Sequence, residues 1–171
     1  MAHKKIYHAI LIVTAVLAAI ATTKADTIRI AALGASNAQG AGVGSGQAWP
    51  AQLERMLRAK GYDVSVSVNA VSGDTSAGVL ARADAAAAGA RAVVFDTGAA
   101  NDWRNGISAS VTQGHIAQIA ARIRAHGAAA IQNNYSGVPT QADGIHFTPQ
   151  GHALIAARAL PQVIAALGKR K

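Results

Sequence analysis

Ser36, Asp143 and His146 are the residues whose types and spacing suggest chemistry first. A serine hydroxyl is a weak nucleophile at neutral pH. It becomes useful when a base accepts its proton and fixed donors receive the oxyanion formed by its attack. Asp143 and His146 lie three positions apart in Asp143-Gly144-Ile145-His146. Within one turn that spacing lets a carboxylate reach the imidazole Nδ1 and leaves Nε2 to face a nucleophile. Asn101 offers a side-chain amide to an oxyanion. Gly73, without a Cβ, can bring a backbone N–H close. Taken singly, each residue has a plainer role. Ser36 and Asp143 suit turns or helix caps, and Gly73 suits a position of positive φ.

Other chemistry fits less well. Asp74 and Asp102 read as loop-ordering residues, since a glycosidase pair needs a separation that sequence does not provide. The glycine run from Gly40 to Gly46 has neither the dinucleotide spacing nor the Lys-Ser/Thr pair of a phosphate loop, and reads as a flexible rim beside Ser36. Asp143, His146 and His152 lack the patterns of a metal site. His152 is expected at a helix start facing solvent, and His115 and His126 at the ends of a helix.

The elements that must position these residues alternate. Four β-type runs, 27–33, 63–70, 91–97 and 128–133, are each followed by a helical or glycine-rich stretch, which implies a parallel sheet. Between them Trp49, Leu53, Met56 and Leu57 recur at helical spacing. So do Val79, Leu80, Ala83 and Ala87, and again Ile116, Ile119, Ala120 and Ile123. Leu154 and Ile155 open a last helix, in which Pro161 predicts a kink or restart. The expected fold is a three-layer α/β/α, flavodoxin-like sandwich with a short parallel sheet of about four strands. Its reactive groups gather where strands end.

Composition narrows the setting. Lys4 and Lys5 before the apolar run 9–21, with small residues toward Ala25, read as a signal peptide over 1–25, leaving one domain over 26–171 and an exported, periplasmic or secreted protein. With no cysteine in the chain, disulfides and thiol chemistry are excluded. Much of the net charge of +8 comes from the two termini. Arg55, Arg58, Arg122 and Arg124 lie on helix faces without interleaved aromatics, which argues against a nucleic-acid partner. No cofactor and no metal are expected. Expected partners are a small acyl-ester substrate and a second copy of the chain at an open sheet edge, without stable membrane insertion after leader cleavage.

Four blocks carry a family resemblance. Gly34-Ala35-Ser36-Asn37-Ala38-Gln39-Gly40, running through Trp49-Pro50 into a helix, resembles the first block of the SGNH/GDSL hydrolases. Val68-Asn69-Ala70-Val71-Ser72-Gly73-Asp74-Thr75-Ser76 resembles the second, Gly98-Ala99-Ala100-Asn101-Asp102 the third, and Asp143-Gly144-Ile145-His146 the last. All four stand in family order and look most like the bacterial thioesterase/lysophospholipase-like arylesterase branch. The resemblance implies Ser36 as nucleophile, His146 as base and Asp143 as its orienting partner. It implies an oxyanion hole from the Ser36 N–H, the Gly73 N–H and the Asn101 amide. Hydrolysis of short-chain acyl esters or thioesters is the expected function. The alternatives are an exported carbohydrate or peptidoglycan O-deacetylase and a non-catalytic binding module on the same scaffold.

Three departures from the family pattern stand out. Ala35 occupies a position where the family usually has Asp, and Asn37 one where Leu is common, which predicts a less firmly held Ser36 turn. The third block either lacks its glycine or is stretched by one residue after Gly98, which predicts a displaced Asn101. After residue 133 the chain reaches Asp143 in about ten residues, the length of a connection rather than of another helix and strand. A shallow acyl site follows from that shortfall.

Overall fold

Ile30, Ala31, Ala32 and Leu33 form an unbroken apolar run, as a strand covered on both faces requires. The computed structural model describes residues 26–168 and places all four at zero exposure in β1 (Ile28–Gly34). The expected leader over 1–25 lies outside the described residues. β1 pairs in parallel with β2 (Val64–Ala70) on one side and β3 (Ala92–Phe95) on the other, and β4 (Ala129–Gln132) pairs in parallel with β3. The sheet order is therefore β2-β1-β3-β4. In register, Leu33 stands opposite Asn69 and Phe95, so three strands bring their C-terminal ends to one edge.

Side chains alternate across this sheet with a period of two. Ile30, Ala32, Ala92, Val94 and Ile131 face one way, against α2 (Trp49–Ala59) and α7 (Pro149–Leu167), which contribute Trp49, Leu53, Leu57, Ile155, Ala159 and Val163. Ala31, Leu33, Val93 and Phe95 face the other way. They meet Val79 of α3 (Ser76–Ala81), Ala83, Ala86 and Ala87 of α4 (Ala83–Ala87), and Ile119 and Ile123 of α6 (Ala109–Ala125). Two helical layers thus enclose a four-stranded parallel sheet, the expected architecture. The alanine-rich stretch forms α4, where small side chains allow a close approach to the sheet.

Helix starts follow their local chemistry. The Thr148 hydroxyl accepts from Gly151 N at 3.1 Å, with Pro149 in the first turn of α7, and Ser108 caps α6 by accepting from Val111 N at 3.4 Å. Three expectations are corrected. Pro161 lies inside α7, which runs through it without a restart, held by packing on both sides of the residue. His152 is fully buried rather than solvent-facing, because its Nδ1 accepts from the Trp49 N–H at 3.2 Å across the α2–α7 contact. That bond leaves the proton on Nε2, and burial pushes the His152 pKa down. His115 falls in the middle of α6, whereas His126 is its C-cap.

Leu53 has zero exposure between the sheet and α7, so Leu53→Ala should cost about 2–5 kcal/mol of unfolding free energy. Trp103→Ala, at a side chain that is 80% exposed, should change stability by no more than about 0.5 kcal/mol. Urea unfolding followed by far-UV circular dichroism measures both.

Candidate active site

The chain leaves β1 at Gly34 and enters α1 (Ser36–Gln39) two residues later, so Ser36 is the first helical residue beyond the strand end. The turn is closed by Gly40 at φ 88°, and the N–H groups of Gly40 and Ala41 both donate to the Ser36 carbonyl, at 3.0 and 2.9 Å. Gly34 is needed here: a Cβ on it would stand 2.5 Å from the Cβ of Asp96. Asp96 follows β3 directly, and its N–H donates to Leu33 O at 2.8 Å, extending the β1–β3 pairing by one step.

The base lies on the loop between β4 and α7. Asp143 Oδ1 accepts from the backbone N–H groups of Ile145 at 2.9 Å and His146 at 3.0 Å, and its Oδ2 stands 2.6 Å from His146 Nδ1. The two backbone N–H groups, then the imidazole, hold the Asp143 pKa down at about 2. One carboxylate therefore forms the turn and orients the ring, with Gly144 supplying the positive φ of 69° between them. An antiparallel bridge between Thr140 and Phe147 shapes the loop as a short hairpin, and Gln141 N donates to His146 O at 2.7 Å. The Gln141 amide also donates to Phe147 O at 2.9 Å and to Ala41 O at 3.2 Å, tying the loop to the glycine-rich rim after α1. Asn37 joins the same loop from the other side. Its Nδ2 donates to Ile145 O and its Oδ1 accepts from Phe147 N, both at 3.0 Å.

Asn101 sits in the first turn of α5 (Ala99–Arg104), whose N-cap is Gly98 at φ 69°. A Cβ at Gly98 would come within 2.7 Å of the Thr75 backbone, so this glycine makes the close approach between the second and third blocks. Asn101 therefore lies within a helix, and it is among the residues lining the cavity that Ser36 also lines. Asn101 Nδ2 donates to Asp74 O at 2.8 Å, and a primary amide retains a second N–H beyond that bond. Asp102 fixes the start of α5 from beneath. It accepts from Ser76 N at 2.8 Å, Ser76 Oγ at 2.5 Å and Thr112 Oγ1 at 2.6 Å, while His115 Nδ1 stands 2.7 Å from Ser76 Oγ. Burial works to raise its pKa, but these hydrogen bonds, with His115 nearby, outweigh burial and hold it below the ordinary value. Asp74 pairs with Arg82, whose guanidinium also donates to Gly34 O at 2.8 Å. Both acids thus order loops, as expected.

A cavity of about 290 Å³ opens at this sheet edge, lined by Ser36, Asn37, Asp96 and Asn101 on one side and by Val138, Ile145 and Phe147 on another. Ser36 and Asn101 therefore share one cavity. The loop carrying His146 and Asp143 is tied to the Ser36 turn through Asn37, with Gly144 and Ile145 at the cavity wall. Gly73 has a positive φ of 84°, is solvent-exposed and, like Asp143 and His146, is not among the residues lining the cavity. Among the described residues His146 is hydrogen-bonded through Nδ1 to Asp143, and no hydrogen bond joins its Nε2 to the Ser36 hydroxyl.

Sequence reasoning did not single out Asp96. Burial pushes its pKa up, with the backbone N–H of Gly98 acting against that. The Gly98 bond is 3.1 Å long. A nearly buried acidic side chain directly after β3 thus bonds the third block at Gly98 and fills the space beside Gly34. Its signal was an acidic residue ending an all-apolar strand, where exposure cannot explain the charge. Tyr135, whose hydroxyl is buried beside Asp96, has its phenol pKa pushed well above the ordinary value by burial and by that neighbouring charge.

With this geometry in place, relatives become informative. The GDSL-like Lipase/Acylhydrolase family pattern matches residues 32–142, which is most of the described chain. The chain belongs to this family. Esterase TesA of Pseudomonas aeruginosa is 36% identical over 109 residues, covering 63% of this chain and 54% of TesA, so the chain matches about half the length of that relative. A crystal structure of TesA superposes with a TM-score of 0.69 at 26% identity, covering 81% of this chain and 99% of that one. The psychrotrophic esterase EstA from Pseudoalteromonas gives a TM-score of 0.68 at 18% identity, covering 81% and 98%, a likeness of fold.

The two backbone bonds to Asp143 set a pH expectation. A carboxyl whose folded pKa is depressed contributes stability above its unfolded value, and loses it as pH falls through the folded value. The Asp143 carboxyl carbon should therefore titrate near pH 2 by NMR rather than near 3.8, with the loop retained at pH 4. A midpoint at 3.8 or above would show that the turn is not formed in solution.

Proposed function

We propose that this protein is a serine ester hydrolase. His146 takes the Ser36 proton through Nε2 while Asp143 holds the ring by Nδ1. Ser36 Oγ then attacks the acyl carbonyl. The oxyanion is received by the Ser36 N–H and the second N–H of Asn101. His146 returns its proton to the departing alcohol or thiol, leaving an acyl group on Ser36. Water, deprotonated by the same imidazole, then releases the acid and restores the serine. The carrying observation is the short Asp143–His146 contact on a loop bonded through Asn37 to the turn that carries Ser36. Membership of the acylhydrolase family supports the reading.

Gly73 supports the oxyanion hole less well than Asn101, since it is exposed and outside the cavity lining. The substrate we propose is a short-chain acyl ester or thioester. A volume of about 290 Å³ lies at the lower limit of the roughly 300–1,000 Å³ common for ligand pockets. The leader-like N-terminus supports an exported protein working outside the cytoplasm.

Fluorophosphonate labelling should be strong in the wild type and absent in Ser36→Ala; equal labelling of the two would refute the nucleophile assignment. Asn101→Ala should lower kcat by about a hundredfold to a thousandfold with a much smaller change in KM. Across p-nitrophenyl esters, kcat/KM should peak at acetyl or butyryl. A steady rise to dodecanoyl would show that the acyl group does not sit in this cavity.

A further inference from the structure

The geometry points to Asn37 as a positioning residue that sets the direction of the His146 side chain relative to Ser36, a proposal that rests on the esterase reading. Asn37 is 9% exposed, and its side-chain amide makes two 3.0 Å hydrogen bonds to one loop. Where those bonds fall is decisive. Ile145 O belongs to the peptide group before His146 Cα, and Phe147 N belongs to the one after it. Peptide groups are planar, so a residue has two soft backbone torsions, one toward each flanking peptide. Restraining both peptide planes restrains both torsions, and with them the Cα–Cβ direction of His146. The amide thus bonds His146 much as a neighbouring β-strand would, with one donor and one acceptor.

Asp143 completes the restraint. It takes the His146 backbone N–H at 3.0 Å and faces Nδ1 at 2.6 Å, which orients the ring once the backbone is set. Gln141 takes the remaining backbone group, His146 O, at 2.7 Å. Nε2 is the only polar atom of His146 left without a partner among the described residues. Because Asn37 directly follows Ser36 in α1, the base is aligned to the nucleophile's own turn instead of through the sheet. Leucine, common at this position in the family resemblance, could form neither bond. Here the polar residue does what an apolar side chain could do only by packing.

The test uses Asn37→Leu and Asn37→Ala, alone and combined with His146→Ala, in the full chain. Misplacing a catalytic group by about an ångström can cost around a hundredfold in rate. Each single variant should lower kcat about tenfold to a hundredfold, leave KM within about threefold and retain native far-UV circular dichroism. In the His146→Ala background the same substitutions should leave the residual rate within twofold, because Asn37 acts through the imidazole. Independently of activity, hydrogen exchange at the Phe147 amide should accelerate at least tenfold in both variants. Wild-type kcat in Asn37→Leu, an equal loss with and without His146, or unchanged Phe147 exchange would each overturn the proposal. If wild type and Ser36→Ala hydrolyse esters equally, the esterase reading fails, and Phe147 exchange still decides whether Asn37 restrains the loop.

Discussion

Burial of β1 on both faces is the constraint on which the rest depends. A strand with zero exposure from Ile30 to Leu33 must satisfy its backbone through two parallel neighbours and its side chains through two helical layers. Parallel pairing requires every connection to cross back over the sheet, so β1, β2 and β3 all release the chain at the same edge. Ser36, the second block and the third block are therefore neighbours in space because of hydrogen-bond direction, before any side chain is chosen. The base loop leaves the same edge from β4, two strands from β1, and has to be carried across the end of β3 to the Ser36 turn.

Polar side chains bring it there. Asn37 and Asp102 are each nearly buried and spend their hydrogen-bonding capacity joining segments distant in sequence, while Asp96, also nearly buried, accepts from Gly98 two residues on. Buried polar groups are costly when left unmatched and rigid when matched. Backbone N–H groups and hydroxyls supply much of the match here: Phe147 for Asn37, Gly98 for Asp96, and Ser76 and Thr112 for Asp102. The site is framed by side chain–backbone bonds on top of a packed apolar sheet. The rim after α1 is bonded in the same way, since the Gln141 amide reaches Ala41 O from the base loop.

Much of this was legible in sequence. The four strands and their order of use followed from apolar runs and the helical spacing between them. The Asp143–His146 contact followed from a three-residue spacing, because a local turn depends on nearby residues. What was illegible depends on distant partners. Asn37 read as a departure because its bonds go to Ile145 and Phe147, more than a hundred positions away. His152 read as exposed because polarity and helix position favour that, while its burial depends on a Trp49 N–H from another helix. Pro161 predicted a kink or restart, and α7 continues through it without a restart. The third block, lacking its glycine or stretched by one residue, predicted a displaced Asn101; in the structure Asn101 lies in α5 and is among the residues lining the cavity.

The close fit of Gly34 against Asp96 also bears on how such a chain can diverge. The Cβ of Asp96 occupies the space that a side chain at 34 would need. Positions 34 and 96 are in this sense epistatic: a side chain becomes tolerable at 34 only if 96 loses its own or the two strand ends move apart.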